Sequence, residues 1–192
     1  MTEFEFFDTN IILYAKVDDS SSKHVIAKEL LEQKIMNGEP CVSIQVVNEF
    51  SVNAIRQKIE LLDIEASVRH LLTHFHIQSL AAKHVLDAFR IVKRYQFSFW
   101  DSLIVSTALD MQCSVLYTED MQNGQWIDDV LEIRNPFIAL ARKNDPSHNV
   151  CRLRRNAKNS QNWMFYSFRR DRRITGHVQF LLPAQYKRKT CG

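Results

Sequence analysis

Phe4-Glu5-Phe6-Phe7-Asp8-Thr9-Asn10-Ile11-Ile12-Leu13-Tyr14 decides how this chain is read. Its first four residues are mostly aromatic and β-prone, and the apolar run from Ile11 reads as a short helix, so the polar triplet between them is a strand-to-helix turn. A carboxylate, Asp8, therefore stands at the end of a strand.

Working outward, the alternation of strand and helix repeats. Ser20-Ser21-Ser22 offers amino-terminal caps for a helix whose apolar residues Ile26, Leu30, Leu31 and Ile35 recur at helical spacing, and Gly38-Glu39-Pro40 stops it. Cys41-Val42 predicts a second strand. Ser43 opens a helix with Val46, Val47, Phe50 and Ala54 on its apolar face, reaching Lys58. Ile64, Val68, Leu71 and Leu72 mark another helix, and His74 to Leu80 predicts a strand of mixed polarity. Ala82, Val85, Phe89 and Val92 mark the next helix, ending near Tyr95. In Phe97-Ser98-Phe99-Trp100-Asp101-Ser102-Leu103-Ile104-Val105, Ser98 caps a helix that carries Asp101 in its first turn, with Ile104, Ala108 and Met111 inward and Phe99 and Trp100 read as core. Ser114 to Tyr117 predicts a strand ending at Thr118-Glu119-Asp120; a loop with Gly124 and a last strand, Val130 to Ile133, precede Asn135-Pro136-Phe137. Strands alternating with amphipathic helices predict an α/β domain over residues 1–137, a parallel β-sheet flanked by helices.

Charge divides the chain at that point. Residues 1–137 carry 12 Lys and Arg against 20 Asp and Glu, net −8, whereas residues 138–192 carry 13 against 2, net +11. The second stretch is rich in Arg, Asn and Ser and shows no sustained 2.0 or 3.6 period, so it is expected to be a basic tail, disordered or a non-native extension. Two functional readings of it stand beside that one: a phosphate-binding arm with salt-dependent affinity, or a segment whose Arg152, Arg154 and Arg155 fold onto an acidic site. Cys41, Cys113, Cys151 and Cys191 form no CxxC pair, which excludes the common zinc and thioredoxin-type motifs and fits reduced thiols. No apolar run is long enough to span a membrane, and Glu3 and Glu5 stand where a signal peptide would carry lysines, so a cytoplasmic location is expected.

Four acidic positions far apart in sequence fall together in such a fold. Ligands of an open parallel sheet bind beyond the carboxyl ends of its strands. Asp8 and Asp120 follow strands that end on that edge, Asp101 lies in the first turn of its helix, and Glu49 reaches in from a flanking helix. Oxygen-only ligation selects Mg²⁺ or Mn²⁺, which neutralise a phosphodiester and lower the pKa of bound water. Each residue also has a plain structural reading. Ser98-x-x-Asp101 is a capping box, Asp8 a helix cap, Glu49 a solvated helix residue and Glu119-Asp120 a polar turn. Spacing alone leaves a nuclease one of several possibilities.

Phe7-Asp8-Thr9-Asn10-Ile11-Ile12-Leu13-Tyr14-Ala15, Val47-Asn48-Glu49-Phe50, Phe99-Trp100-Asp101-Ser102-Leu103-Ile104-Val105 and Leu116-Tyr117-Thr118-Glu119-Asp120-Met121 together resemble the four motifs of PIN-domain proteins, in particular VapC-type toxins of bacterial toxin–antitoxin pairs. The resemblance covers residues 1–137. It implies a Mg²⁺- or Mn²⁺-dependent endoribonuclease acting on structured RNA such as tRNA, a homodimeric toxin held inactive by a cognate antitoxin protein. By resemblance Asp8, Glu49 and Asp101 are metal ligands, Asp120 is preferred over Glu119 as the fourth, and Thr9, Asn10, Thr118 and Glu119 support the site. Arg56, Lys58, Lys93 and Arg94 are the candidates to hold RNA on an otherwise acidic domain, although Lys93 and Arg94 also suit the helix dipole where they stand. His70 and His74, four apart, lack an HExxH context and are not read as metal ligands. The competing class is a binding module whose acidic pocket holds a metal or a basic partner without turnover. A phosphotransfer reading fails, because Asp8-Thr9-Asn10 lacks the second Asp of an aspartate-nucleophile loop.

Overall fold

The computed structural model describes residues 3–16 and 21–138. The reading of residues 138–192 as a basic tail lies almost wholly outside them.

Among the described residues six strands and six helices follow in the order β1 (Phe4–Phe7), α1 (Thr9–Lys16), α2 (Ser22–Asn37), β2 (Glu39–Ser43), α3 (Ile44–Arg56), α4 (Leu61–His74), β3 (His76–Gln78), α5 (Ala82–Tyr95), α6 (Phe99–Asp110), β4 (Val115–Tyr117), β5 (Trp126–Ile127) and β6 (Leu131–Arg134). The sheet order is β3-β2-β1-β4-β6-β5. Pairings are parallel except for β5 against β6. Register is set by the apolar centre of β1: Phe6 lies between Cys41 and Leu116, and Phe7 opposite Tyr117. Because β1 sends its chain to β2 on one side and has β4 on the other, the strand order reverses there. That reversal opens a crevice at the carboxyl ends of β1 and β4.

Phe6, Phe7, Ile11, Ile12, Phe50, Leu116 and Ile133 are fully buried or nearly so and build one core across the sheet. Burying each such side chain is worth roughly 1.5–3 kcal/mol. Serines cap three helices as expected: Ser21 accepts from the His24 amide, Ser43 from Val46 and Ser98 from Asp101.

Several expectations are corrected. The predicted strand from His74 to Leu80 shrinks to His76–Gln78, with His74 completing α4. The loop after Gly124 contains β5, which pairs antiparallel with β6, so the sheet is mixed at that edge. On α5 the buried residues are His84, Ala88 and Ile91, while Val85 and Phe89 are 39% and 60% exposed. His84 can lie inside because both ring nitrogens are used: Nδ1 accepts the Ala81 amide at 3.0 Å and Nε2 faces Asp110 at 3.0 Å. Leu72, read as inward on α4, is exposed, and Trp100, read as core, is 62% exposed. Among the described residues no helix is long and apolar enough to cross a membrane.

Candidate active site

Asp8 takes its place from the β1 ladder, since its amide donates to the Tyr117 carbonyl at 3.0 Å and so extends the pairing with β4 by one residue. The side chain is only 4% exposed. Its Oδ1 accepts the Thr9 amide at 2.6 Å, and its Oδ2 accepts the Thr118 hydroxyl at 2.7 Å and Asn10 Nδ2 at 3.2 Å. Burial pushes its pKa from 3.8 up to about 7; the negative charges of Asp120 and Glu49 push the same way, against the hydrogen bonds from Thr118 and Thr9.

Neutral donors tie the neighbouring acids to Asp8. The Thr9 hydroxyl donates to Glu49 Oε2 at 2.8 Å, and Asn10 Nδ2 reaches Asp120 Oδ2 at 2.9 Å. Thr118 Oγ1 accepts the Asp120 amide at 3.1 Å, which fixes the turn after β4. Asp8, Glu49 and Asp120 thus form one network around Thr9, Asn10 and Thr118. Glu119 points elsewhere: its carboxylate takes the Tyr14 hydroxyl and Lys23, whose ammonium lies 4.7 Å from the Tyr14 ring centre and 5.4 Å from that of Phe137. This clasp joins α1, α2 and the turn after β4, and the sequence reading missed Tyr14 and Lys23.

Asp101 stands apart from the network. Its Oδ2 accepts the Ser98 hydroxyl at 2.7 Å and its amide donates to Ser98 Oγ at 3.1 Å, so its contacts are those of a helix cap. A third residue missed in sequence, Gln45, lies between: its Nε2 donates to Glu49 Oε1 at 2.9 Å and to the Trp100 carbonyl at 3.3 Å. The signal for it was present as a Gln–Glu pair four apart on one helix.

Of the basic candidates, Arg56 and Lys58 are exposed at the end of α3 and Lys93 is exposed in the last turn of α5. Arg94 is engaged with Asp128 at 2.7 Å.

Among the described residues no three His, Cys, Asp or Glu side chains converge closely enough to hold a metal ion. In kind, however, the donors fit a hard divalent cation. They are carboxylates, one of them desolvated and repelled by two others, and the buried amide oxygens Asn10 Oδ1 and Gln45 Oε1 have no hydrogen-bond partner.

The profile of the PIN domain family matches residues 6–122, more than half of the chain. The chain belongs to the PIN-domain family. Solved structures share this PIN fold: a toxin–antitoxin complex from Klebsiella pneumoniae (21% identity, TM-score 0.52, covering 69% of this chain and 97% of that one) and VapBC2 from Rickettsia felis bound to a fragment of promoter DNA (19%, 0.53, 69% and 99%). VapC20 of Mycobacterium tuberculosis, described as a sarcin-ricin loop cleaving toxin, is similar at 19% identity and TM-score 0.51, covering 60% of this chain and 88% of that one. No curated protein matches the chain in sequence. The matched segment spans all four acidic positions of this PIN domain, from Asp8 to Asp120.

Proposed function

We propose that this PIN domain is a metal-dependent endoribonuclease, the cytoplasmic toxin of a toxin–antitoxin pair. The observation that carries the reading is the linked set Asp8, Glu49 and Asp120 at the switch point of the sheet, with Asp8 desolvated and held near neutrality. Asp8, Glu49, Asp101 and Asp120 would hold Mg²⁺ or Mn²⁺, which when bound supplies hydroxide near neutral pH and offsets charge on the phosphodiester. The chain's own residues prepare that site. Thr9, Asn10 and Thr118 orient the carboxylates, as supporting hydrogen bonds do around metal ligands. To ligate a cation Asp8 would have to be deprotonated, so affinity should rise with pH through its pKa.

RNA is the proposed substrate, tRNA or another structured RNA, approached over Arg56, Lys58 and Lys93. A cognate antitoxin is the proposed partner. A homodimer is proposed as well, supported by exposed apolar side chains: Leu86 at 71% and Phe89 at 60% on α5, and Trp100 at 62% on α6. For residues 138–192 the proposal remains a basic tail that contributes salt-dependent RNA contact or nothing.

One observation favours a second reading. The Asp101 carboxylate is committed to Ser98, which suits an acidic pocket that binds a metal or a basic segment without turnover. Incubating total RNA with the full chain and with Asp101→Asn, over a titration of Mg²⁺ or Mn²⁺ from zero, separates the two. Cleavage that requires metal and is lost in the variant supports the nuclease; metal binding with intact RNA, or equal cutting by the variant, supports the binding module.

A further inference from the structure

Gln45 occupies the first turn of α3, is 4% exposed, and carries the only side-chain hydrogen bond among the described residues from another element to the first turn of α6. We propose that Gln45 is a positioning residue that sets Glu49 against the turn carrying Asp101, an inference that rests on the metal-dependent reading above.

The amide can face only one way. Both of its partners, Glu49 Oε1 and the Trp100 carbonyl, are acceptors, so the nitrogen must point at them and both of its hydrogens are used. Its oxygen is left buried without a partner. A buried, half-satisfied amide costs stability, and a methionine or leucine of similar volume would fill the same space without that cost. What Gln45 provides instead is orientation. With Thr9 on Oε2 and Gln45 on Oε1, both carboxylate oxygens of Glu49 are fixed, one from the Asp8 side and one from the Asp101 side. Asp101 otherwise rests on its own helix cap, and Trp100 beside it is exposed, so neither ties that turn to the other three acids. Through one nitrogen Gln45 joins the fourth acidic position to the network.

The test uses the full chain with Gln45→Met and, because its shape differs, Gln45→Leu, each shown to be folded by circular dichroism. Mn²⁺ affinity is measured by calorimetry without RNA, and cleavage kinetics are measured separately. Positioning predicts Mn²⁺ binding weakened about 10- to 100-fold. It also predicts kcat lowered by a similar factor with KM for RNA changed less than about threefold. A purely structural role would move the melting temperature and leave Mn²⁺ affinity and kcat at wild-type values; that result overturns the proposal. Weakened Mn²⁺ binding in the variants together with uncut RNA in the wild type upholds Gln45 and removes the nuclease reading. A wild type that binds no Mn²⁺ removes both.

Discussion

Asp8→Asn should stabilise the metal-free protein at pH 8 and gain little or nothing at pH 5. The folded pKa of Asp8 is raised from 3.8 to about 7, and each unit is worth about 1.4 kcal/mol, so the ionised group costs the folded state about 4 kcal/mol once the pH is above 7. The sign follows from proton counting. Between the two pKa values the unfolded chain has lost the proton and the folded chain keeps it, so stability falls as pH rises through that window and levels off above the folded pKa. Of the total, roughly 2–3 kcal/mol accrues between pH 5 and pH 8. Asparagine abolishes this term, but its amide nitrogen cannot accept from Thr118 and Asn10 as Asp8 Oδ2 does. Those two losses cost about 0.5–1.5 kcal/mol each. The net expectation is a gain of about 1–3 kcal/mol at pH 8, and at pH 5 no gain or a small loss. Urea unfolding of both proteins at the two pH values, with chelator present, measures it, since other titrating groups cancel in the difference. A difference between the proteins that is the same at both pH values would refute a desolvated carboxylate at this position. Adding Mn²⁺ at pH 8 should favour the wild type again, because only it regains the cation's binding energy.

Glu119 and Asp120 should separate cleanly. Asp120→Asn is expected to lower RNA cleavage at least about 100-fold with the fold intact, at the upper end of what groups around a metal contribute. Glu119→Gln is expected to lower unfolding stability by roughly 1–2 kcal/mol through its part-exposed contacts with Lys23 and Tyr14, leaving cleavage by the folded protein within a fewfold. Ser102 is fully buried and its hydroxyl has no partner, so Ser102→Ala should be neutral or stabilise by up to about 1 kcal/mol in thermal unfolding. Asp129 is exposed with φ 59°, in the left-handed region, and Asp129→Gly should stabilise by about 0.5 kcal/mol. Its neighbour Asp128, φ 49°, should not tolerate the same change, because its carboxylate holds Arg90, Arg94 and Tyr95 against the turn.

Local pattern alone determined the order of strands and helices apart from β5, the three serine caps, and the position of Asp8 at a strand's end. These depend on residues a few positions apart, where periodicity and cap chemistry act. It failed on α5 because periodicity reports that apolar residues recur, not which side of a helix a neighbour will cover. The sequence offered Val85 and Phe89, and packing chose His84, Ala88 and Ile91, since the Asp110 carboxylate and the Ala81 amide make a buried histidine affordable. β5 was invisible because two residues carry no period. In the site, strand and helix order brought the four acids to one sheet edge, and the family resemblance marked them as ligands. Their actual linkage was not legible, because it runs through contacts between residues 40 and 110 apart: Thr9 to Glu49, and Asn10 to Asp120. Only the tertiary structure decided that Glu119 turns to Lys23 while Asp120 turns to Asn10, and that Gln45 joins Glu49 to the turn before Asp101. Adjacent side chains of equal charge have no local reason to differ, and the donors that part them arrive from other elements when the sheet closes.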